Sequence, residues 1–162
     1  MNVPLKYLPK RLTKKDKKKQ AKQLKKSKAA YKKGIYIHRK PVDSYKSKKS
    51  QHILNAERIY NIENLSVNNE LANKTGCSIS ALNKIIKKGM GAYYSSGSRP
   101  NQTPHSWGIA RLASSISGGK AAAVDYNILA EGCKSGSKAL KLAKKSRIKN
   151  GYGTRKVPKR QI

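Results

Sequence analysis

The uneven spread of positive charge constrains this chain more than any other feature. Residues 1–50 carry 19 Lys or Arg against 2 acidic side chains, a net +17. Residues 51–133 carry 8 against 5, a net +3, and residues 134–162 carry 11 against none. Segments this cationic repel themselves and collapse only against counter-charge. The expected organisation is therefore a compact centre over 51–133, a lysine-rich N-terminal arm over 1–50, and a basic helix and tail over 134–162. Phe is absent and only 36% of residues are apolar, so no core large enough to organise the whole chain is expected.

Periodicity and capping residues place helices and little else, so the class is mostly α. Thr13 and Asp16 begin a capping-box-like helix over about 13–33, with Gly34 past its end. Its apolar positions are few (Ala21, Leu24 and Tyr31), and it is expected to be marginal until a partner orders it. Residues 34–49 read as extended or loop. Ser50 caps a helix through HILNAERIY with Ile53, Leu54 and Ile59 inward. Two short helices follow at 69–75 and 79–88. Thr103 with Pro104 is a strong helix start, and Gly118-Gly119 ends that helix. A further helix is expected over 120–131, with Val124, Ile128 and Leu129 buried. A last basic helix lies over about 137–147, and the tail NGYGTRKVPKRQI reads as irregular.

Residues 70–89, ELANKTGCSISALNKIIKKG, are similar to a helix-turn-helix. Ala72 would sit where two helices cross, Gly76 would supply a left-handed turn, and Leu71, Leu82 and Ile85 would seal the pair. If the second helix enters a groove, it presents Ser78, Ser80, Asn83, Lys84 and Lys87 to bases or phosphates. The bland alternative is a plain helical hairpin that packs the core.

Residues 89–125 carry Gly89, Gly91, Ala92, Tyr93, Gly97, Arg99, Pro100, Trp107, Gly108, Ala110, Arg111, Gly118, Gly119 and Asp125. This run resembles an uncharacterised family of small basic proteins from large double-stranded DNA viruses of the mimivirus and chlorella-virus kind, with related modules in tailed phages. The resemblance covers roughly residues 7–145. It implies a viral setting and a fold unit, and no mechanism. The density of Gly and Ser over 89–98 would let backbone N–H groups approach an anion, with Arg99 at the end of the cradle. The alternative is a packed loop in which Trp107, Arg111 and Asp125 form a buried brace. The Ser117–Lys120 junction is another helix start able to take a phosphate, but it lacks the full P-loop spacing.

Chemistry beyond binding is not expected. Three histidines and two cysteines give no CxxC, HxxxH or CxxH spacing, so neither a metal nor another cofactor is anticipated. Ser96, His105 and Asp125 occur in an order that proves nothing about nucleophilic catalysis, and seven carboxylates leave little for a two-metal nuclease. Cys77 and Cys133 do not make a disulfide framework, and a reducing compartment is the simpler assumption. The N-terminus lacks the apolar run of a signal peptide, and no stretch of 18 apolar residues marks a membrane span.

The expected partner is nucleic acid, whose phosphates release condensed counterions when lysine replaces them. Anionic lipid demands a bulky apolar face that the basic helices lack, so no membrane partner is expected. Lys outnumbers Arg by 30 to 8, which favours backbone binding over base readout. DNA is favoured over RNA, in a virion or, during infection, the host nucleus or cytoplasm. The contacts expected are Lys14, Lys15, Lys17, Lys18, Lys19, Lys22, Lys25 and Lys26 in the first arm. They continue with Ser80, Asn83, Lys84 and Lys87 in the hairpin, then Arg99, then Lys141, Lys144, Lys145 and Arg147. The rivals are a capsid or core protein whose arms bind other subunits, and a ribosomal-type RNA binder.

Overall fold

The computed structural model describes residues 1–151 and 158–162. Among them the chain forms β1 (Asn2–Pro4), α1 (Lys14–Tyr31), α2 (Gln51–Tyr60), α3 (Asn69–Thr75), α4 (Ile79–Ser95), α5 (Pro104–Ile116), α6 (Lys120–Val124), α7 (Tyr126–Gly132), α8 (Lys138–Asn150) and β2 (Lys159–Gln161). The fold is mostly α, with a small helical domain. No helix among the described residues is long and apolar enough to cross a membrane. The chain divides into two compact units: residues 1–48, 90–107 and 156–162 in one, and residues 49–89 and 108–155 in the other. A boundary thus falls near the expected residue 50, but the N-terminal segment is itself part of a folded unit and not an arm on a single centre.

In the first unit, Val3, Tyr7, Leu8, Leu12, Leu24, Val42 and Tyr45 are buried in one cluster. The expectation that a segment so basic lacks its own core is corrected here. The reason lies in how α1 divides its surface. Asp16, Gln20, Leu24 and Ser27 are buried, a spacing of four, four and three that makes one narrow stripe. The lysines occupy the rest of the circumference and need no burial. Three of the four stripe residues are polar and are satisfied from outside the helix: Gln20 donates to the carbonyls of Tyr7 and Ser98, Asp16 accepts from the Ser44 amide at 2.8 Å, and Ser27 accepts from Arg39.

Thr13 caps α1 as its sequence suggests, accepting from the Asp16 amide. The return bond of a capping box is not made by Asp16. The Thr13 amide donates instead to Ser44 Oγ, and that hydroxyl donates to Asp16. Asn101, at φ 62°, holds residues 42–45 by accepting from the Val42 amide and donating to the Val42 and Tyr45 carbonyls. The end of the tail is not irregular: β2 pairs antiparallel with β1, Val3 opposite Arg160. Tail residues 152–157 lie outside the described ones.

In the second unit, Tyr60, Leu71, Leu82, Ile85, Leu112, Ile116, Leu129, Leu140 and Ala143 are among the buried residues, and α8 packs on α6 and α7. Ser50 caps α2, accepting from the His52 amide. The inward face of α2 is Ala56, Glu57 and Tyr60, whereas Leu54 is 44% exposed and Ile53 and Ile59 are half-buried. Glu57 is drawn in by the Leu65 amide and by Lys49, and the Tyr60 hydroxyl reaches the Ile116 carbonyl. These polar anchors rotate the helix away from the face that hydropathy alone selects. The helix expected over 120–131 breaks at Asp125, where α6 gives way to α7. Leu129 is buried there as expected, while Val124 and Ile128 are half-buried.

The two cysteines are joined by a disulfide, with Cα atoms 3.8 Å apart. Count and spacing alone point to free thiols, because neither carries information about which residues meet. The fold brings the pair together in an antiparallel bridge, and the cysteine count no longer argues for a reducing compartment.

Candidate nucleic-acid interface

The charged groups on the outward surface of α1 are all cationic. Lys14, Lys15, Lys18, Lys19, Lys22, Lys25 and Lys26 are exposed, and Lys17 is half-buried. The only acid of the helix, Asp16, is turned inward, where the Ser44 hydroxyl and amide hold its carboxyl below the ordinary value. Of the exposed lysines, Lys19 is partly committed, its ammonium donating to the Pro41 carbonyl at 2.9 Å. The remaining side chains project over a wide arc opposite the buried stripe.

On α4, Ser80, Asn83, Lys84 and Lys87 are all exposed, and their spacing of three, one and three places them on one face. The structure brings these four together. Gly76, at φ 76°, closes α3 as expected, and Leu71, Leu82 and Ile85 are buried. Ser78 is the cap of α4, its hydroxyl accepting from the Ala81 amide at 3.1 Å. Lys88, next to this face, bonds the buried Asp125 at 3.0 Å.

The glycine- and serine-rich cradle is a correction. The helix expected over 79–88 runs on to Ser95, so residues 89–95 spend their amides in helical hydrogen bonds. Gly89 and Gly91 lie inside this helix, where glycine costs about 1 kcal/mol relative to Ala and tertiary packing overrides the propensity. After the helix, Gly97 at φ 109° packs where a Cβ would lie 2.7 Å from a Leu24 methyl. That close approach explains the glycine without any ligand. Arg99 is exposed beside it. The Ser117–Lys120 junction is likewise occupied by its own chain: the Gly119 amide donates to the Ser114 carbonyl at 2.8 Å, and the Ala121 amide donates to Ser114 Oγ.

Arg111 and Asp125 do form the brace suggested by their spacing. Arg111 donates two hydrogen bonds to the Asp125 carboxylate, at 2.9 and 2.8 Å, and Ser115 donates a third. Burial pushes this carboxyl upward, but hydrogen bonds and charge from Arg111, then Lys88, outweigh that and leave it below the ordinary value. Trp107 is not part of the brace. It meets Tyr7 edge-on, with Lys6 against its ring. With its oxygens committed, Asp125 has the partners of a structural carboxylate.

On α8, Lys141, Lys144 and Lys145 are exposed. Arg147 differs: its guanidinium lies 4.0 Å from the Tyr126 ring centroid, a cation–π contact within the unit.

Sequence reasoning missed two things. Arg39 joins three segments, donating to Ser27 Oγ, the Tyr93 carbonyl and Ser98 Oγ while stacking over the Tyr93 ring at 3.8 Å. The second is an aromatic group at the end of α1, the exposed Tyr31 and Tyr36 with the half-buried Tyr94 of α4. The run YKKGIYIH, aromatic residues interleaved with lysine, was the available sign of the latter.

A family described as one of unknown function (DUF5824) matches residues 4–130. No curated protein matches, and no solved structure matches.

Proposed function

From the premise that this chain belongs to that family of unknown function, we propose that it is a nucleic-acid-binding protein that neutralises backbone phosphate with little sequence preference. The observation that carries the reading is the outer surface of α1, where lysines stand on every exposed turn and the one acid is folded inward. Each phosphate engaged releases counterions, so affinity is set by the number of lysines that take part. The exposed faces of α4 and α8 add further lysines. Arg99 adds one more fixed charge. A virion setting, in which such a protein accompanies packaged DNA, is supported by the resemblance to viral proteins alone.

The test is binding of the full chain to two duplexes of unrelated sequence, followed by fluorescence anisotropy across a salt series. Log affinity should fall linearly with log salt, with the same slope for both duplexes. Joint substitution of Lys18, Lys22, Lys25 and Lys26 by Gln should lower the magnitude of that slope by up to about 3.6, at roughly 0.9 for each phosphate no longer neutralised. Charge substitution is the right perturbation, because deleting residues 1–50 would remove the first unit's buried cluster. Absence of binding in dilute buffer, or a slope indifferent to the four substitutions, would overturn the reading.

A further inference from the structure

We propose that the aromatic group at the C-terminal end of α1 is a stacking platform for unpaired bases, so that the nucleic acid this protein prefers is single-stranded. The inference rests on the polyphosphate reading above and specifies its substrate.

The stripe that α1 buries continues in register from Ser27 to Tyr31. Yet Tyr31 is 38% exposed, because the buried cluster ends before it. Past the helix, Tyr36 is 64% exposed. Tyr31 and Tyr36 have ring centroids 5.9 Å apart, and Tyr36 lies 5.1 Å from Tyr94 in an edge contact. Tyr94 is held in turn, its hydroxyl sharing a 3.0 Å hydrogen bond with His38 Nε2, and it meets Tyr93 edge-on at 5.2 Å. Tyr93 is fully buried, with Arg39 over its ring.

An edge-to-face contact covers one face of one ring of the pair and leaves the other faces open. The exposure of Tyr31 and Tyr36 puts open ring surface in solvent. Here the array rises from a buried, clamped ring to one mostly in solvent, which gives the platform a rigid base. Lys32 and Lys33 are exposed in the same segment and Lys28 is half-buried one turn earlier. Aromatic faces beside lysines match the two halves of a single-stranded nucleotide, a π-surface and a phosphate. A duplex keeps its bases stacked on one another and offers only the phosphate.

The experiment compares the full chain with its Tyr31→Ala/Tyr36→Ala variant, measuring anisotropy with a labelled single-stranded oligothymidine and a duplex of equal length at one salt concentration, then across a salt series. The wild type should bind the single strand more tightly. The variant should lose about tenfold or more on the single strand, keep its duplex affinity, and keep its salt slope. Tyr36→Trp should retain single-strand binding and show tryptophan quenching on titration. Circular dichroism of the variants checks folding, and unchanged duplex affinity reports the same thing independently. If the wild type binds neither form, the polyphosphate reading fails and this inference falls with it. If the wild type binds both and the double variant loses neither or loses both equally, the platform is wrong while the parent reading stands. Competition by poly-glutamate that weakens on the same tyrosine substitutions would assign the rings to an acidic peptide and overturn the proposal.

Discussion

Cys77 and Cys133 face each other across an antiparallel bridge and are joined by a disulfide that spans 56 positions of sequence. Backbone hydrogen bonds flank them on both sides, from the Ser78 amide to the Gly132 carbonyl and from the Lys134 amide to the Gly76 carbonyl, each 2.8 Å. The link ties the turn between α3 and α4 to the end of α7. Restricting an unfolded loop of this size stabilises the native state by about 4 kcal/mol in the chain-entropy treatment. Replacing both cysteines by Ala should lower the urea midpoint accordingly and make it insensitive to reductant. The native chain should titrate no thiols, even denatured, until reductant is added.

Asp125 should govern the acid limb of stability in the second unit. Its folded-state carboxyl lies below the ordinary value of 3.8, so the unfolded chain binds protons more readily than the folded one. The stabilisation is fully present above the unfolded value and is lost as pH falls below 3.8 through the folded value. Asp125→Asn leaves Arg111 and Lys88, both solvent-accessible, without their shared carboxylate and should cost about 1.5 to 3 kcal/mol near neutrality. Denaturant midpoints measured from about pH 7 down to about pH 2 should show a shallower acid dependence in the variant.

Arg39 should resist conservative replacement. Its planar guanidinium reaches Ser27, Tyr93 and Ser98 at once and covers the Tyr93 ring. Lysine keeps the charge but lacks the fork and the flat face. Arg39→Lys should destabilise by about 2 kcal/mol, through one or two missing charge-assisted hydrogen bonds and a missing stacked face. Thermal unfolding followed at the tyrosine near-ultraviolet signal reports it.

Gly76 should be intolerant of a side chain for two separate reasons. It adopts φ 76°, and a Cβ there would lie 2.6 Å from Ser137 Cβ. The left-handed backbone costs a non-glycine residue roughly 1 to 2 kcal/mol, and overlap with the α8 cap adds about 1 to 3. Gly76→Ala should therefore lose at least about 2 kcal/mol by urea unfolding. Gly136 also has a positive φ, but a Cβ there would meet no atom within 4 Å, so Gly136→Ala should show the backbone part alone.

The α4 face separates two modes of binding. If Asn83, Lys84 and Lys87 meet only phosphate, changing Lys84 and Lys87 to Gln should lower the salt slope by up to about 1.8 and weaken all duplexes alike. A selective loss on one sequence, seen in competition between unrelated duplexes, would instead identify groove reading.

What the sequence by itself determined is whatever is encoded within one helical turn or in summed charge. Thr13, Ser50 and Thr103 cap helices because their hydroxyls reach amides two or three residues on. Gly76 ends α3 because its backbone favours the left-handed turn. The lysine face of α1 was legible too, since charge needs no partner to be exposed. The tertiary structure alone decided the rest. Leu54 points outward while Glu57 is buried, because the Leu65 amide and Lys49 lie where only the fold can bring them. Residues 89–95 became helix despite their glycines, and Cys77 found Cys133. Burial and pairing are properties of two chain segments at once, and a local pattern specifies only one of them.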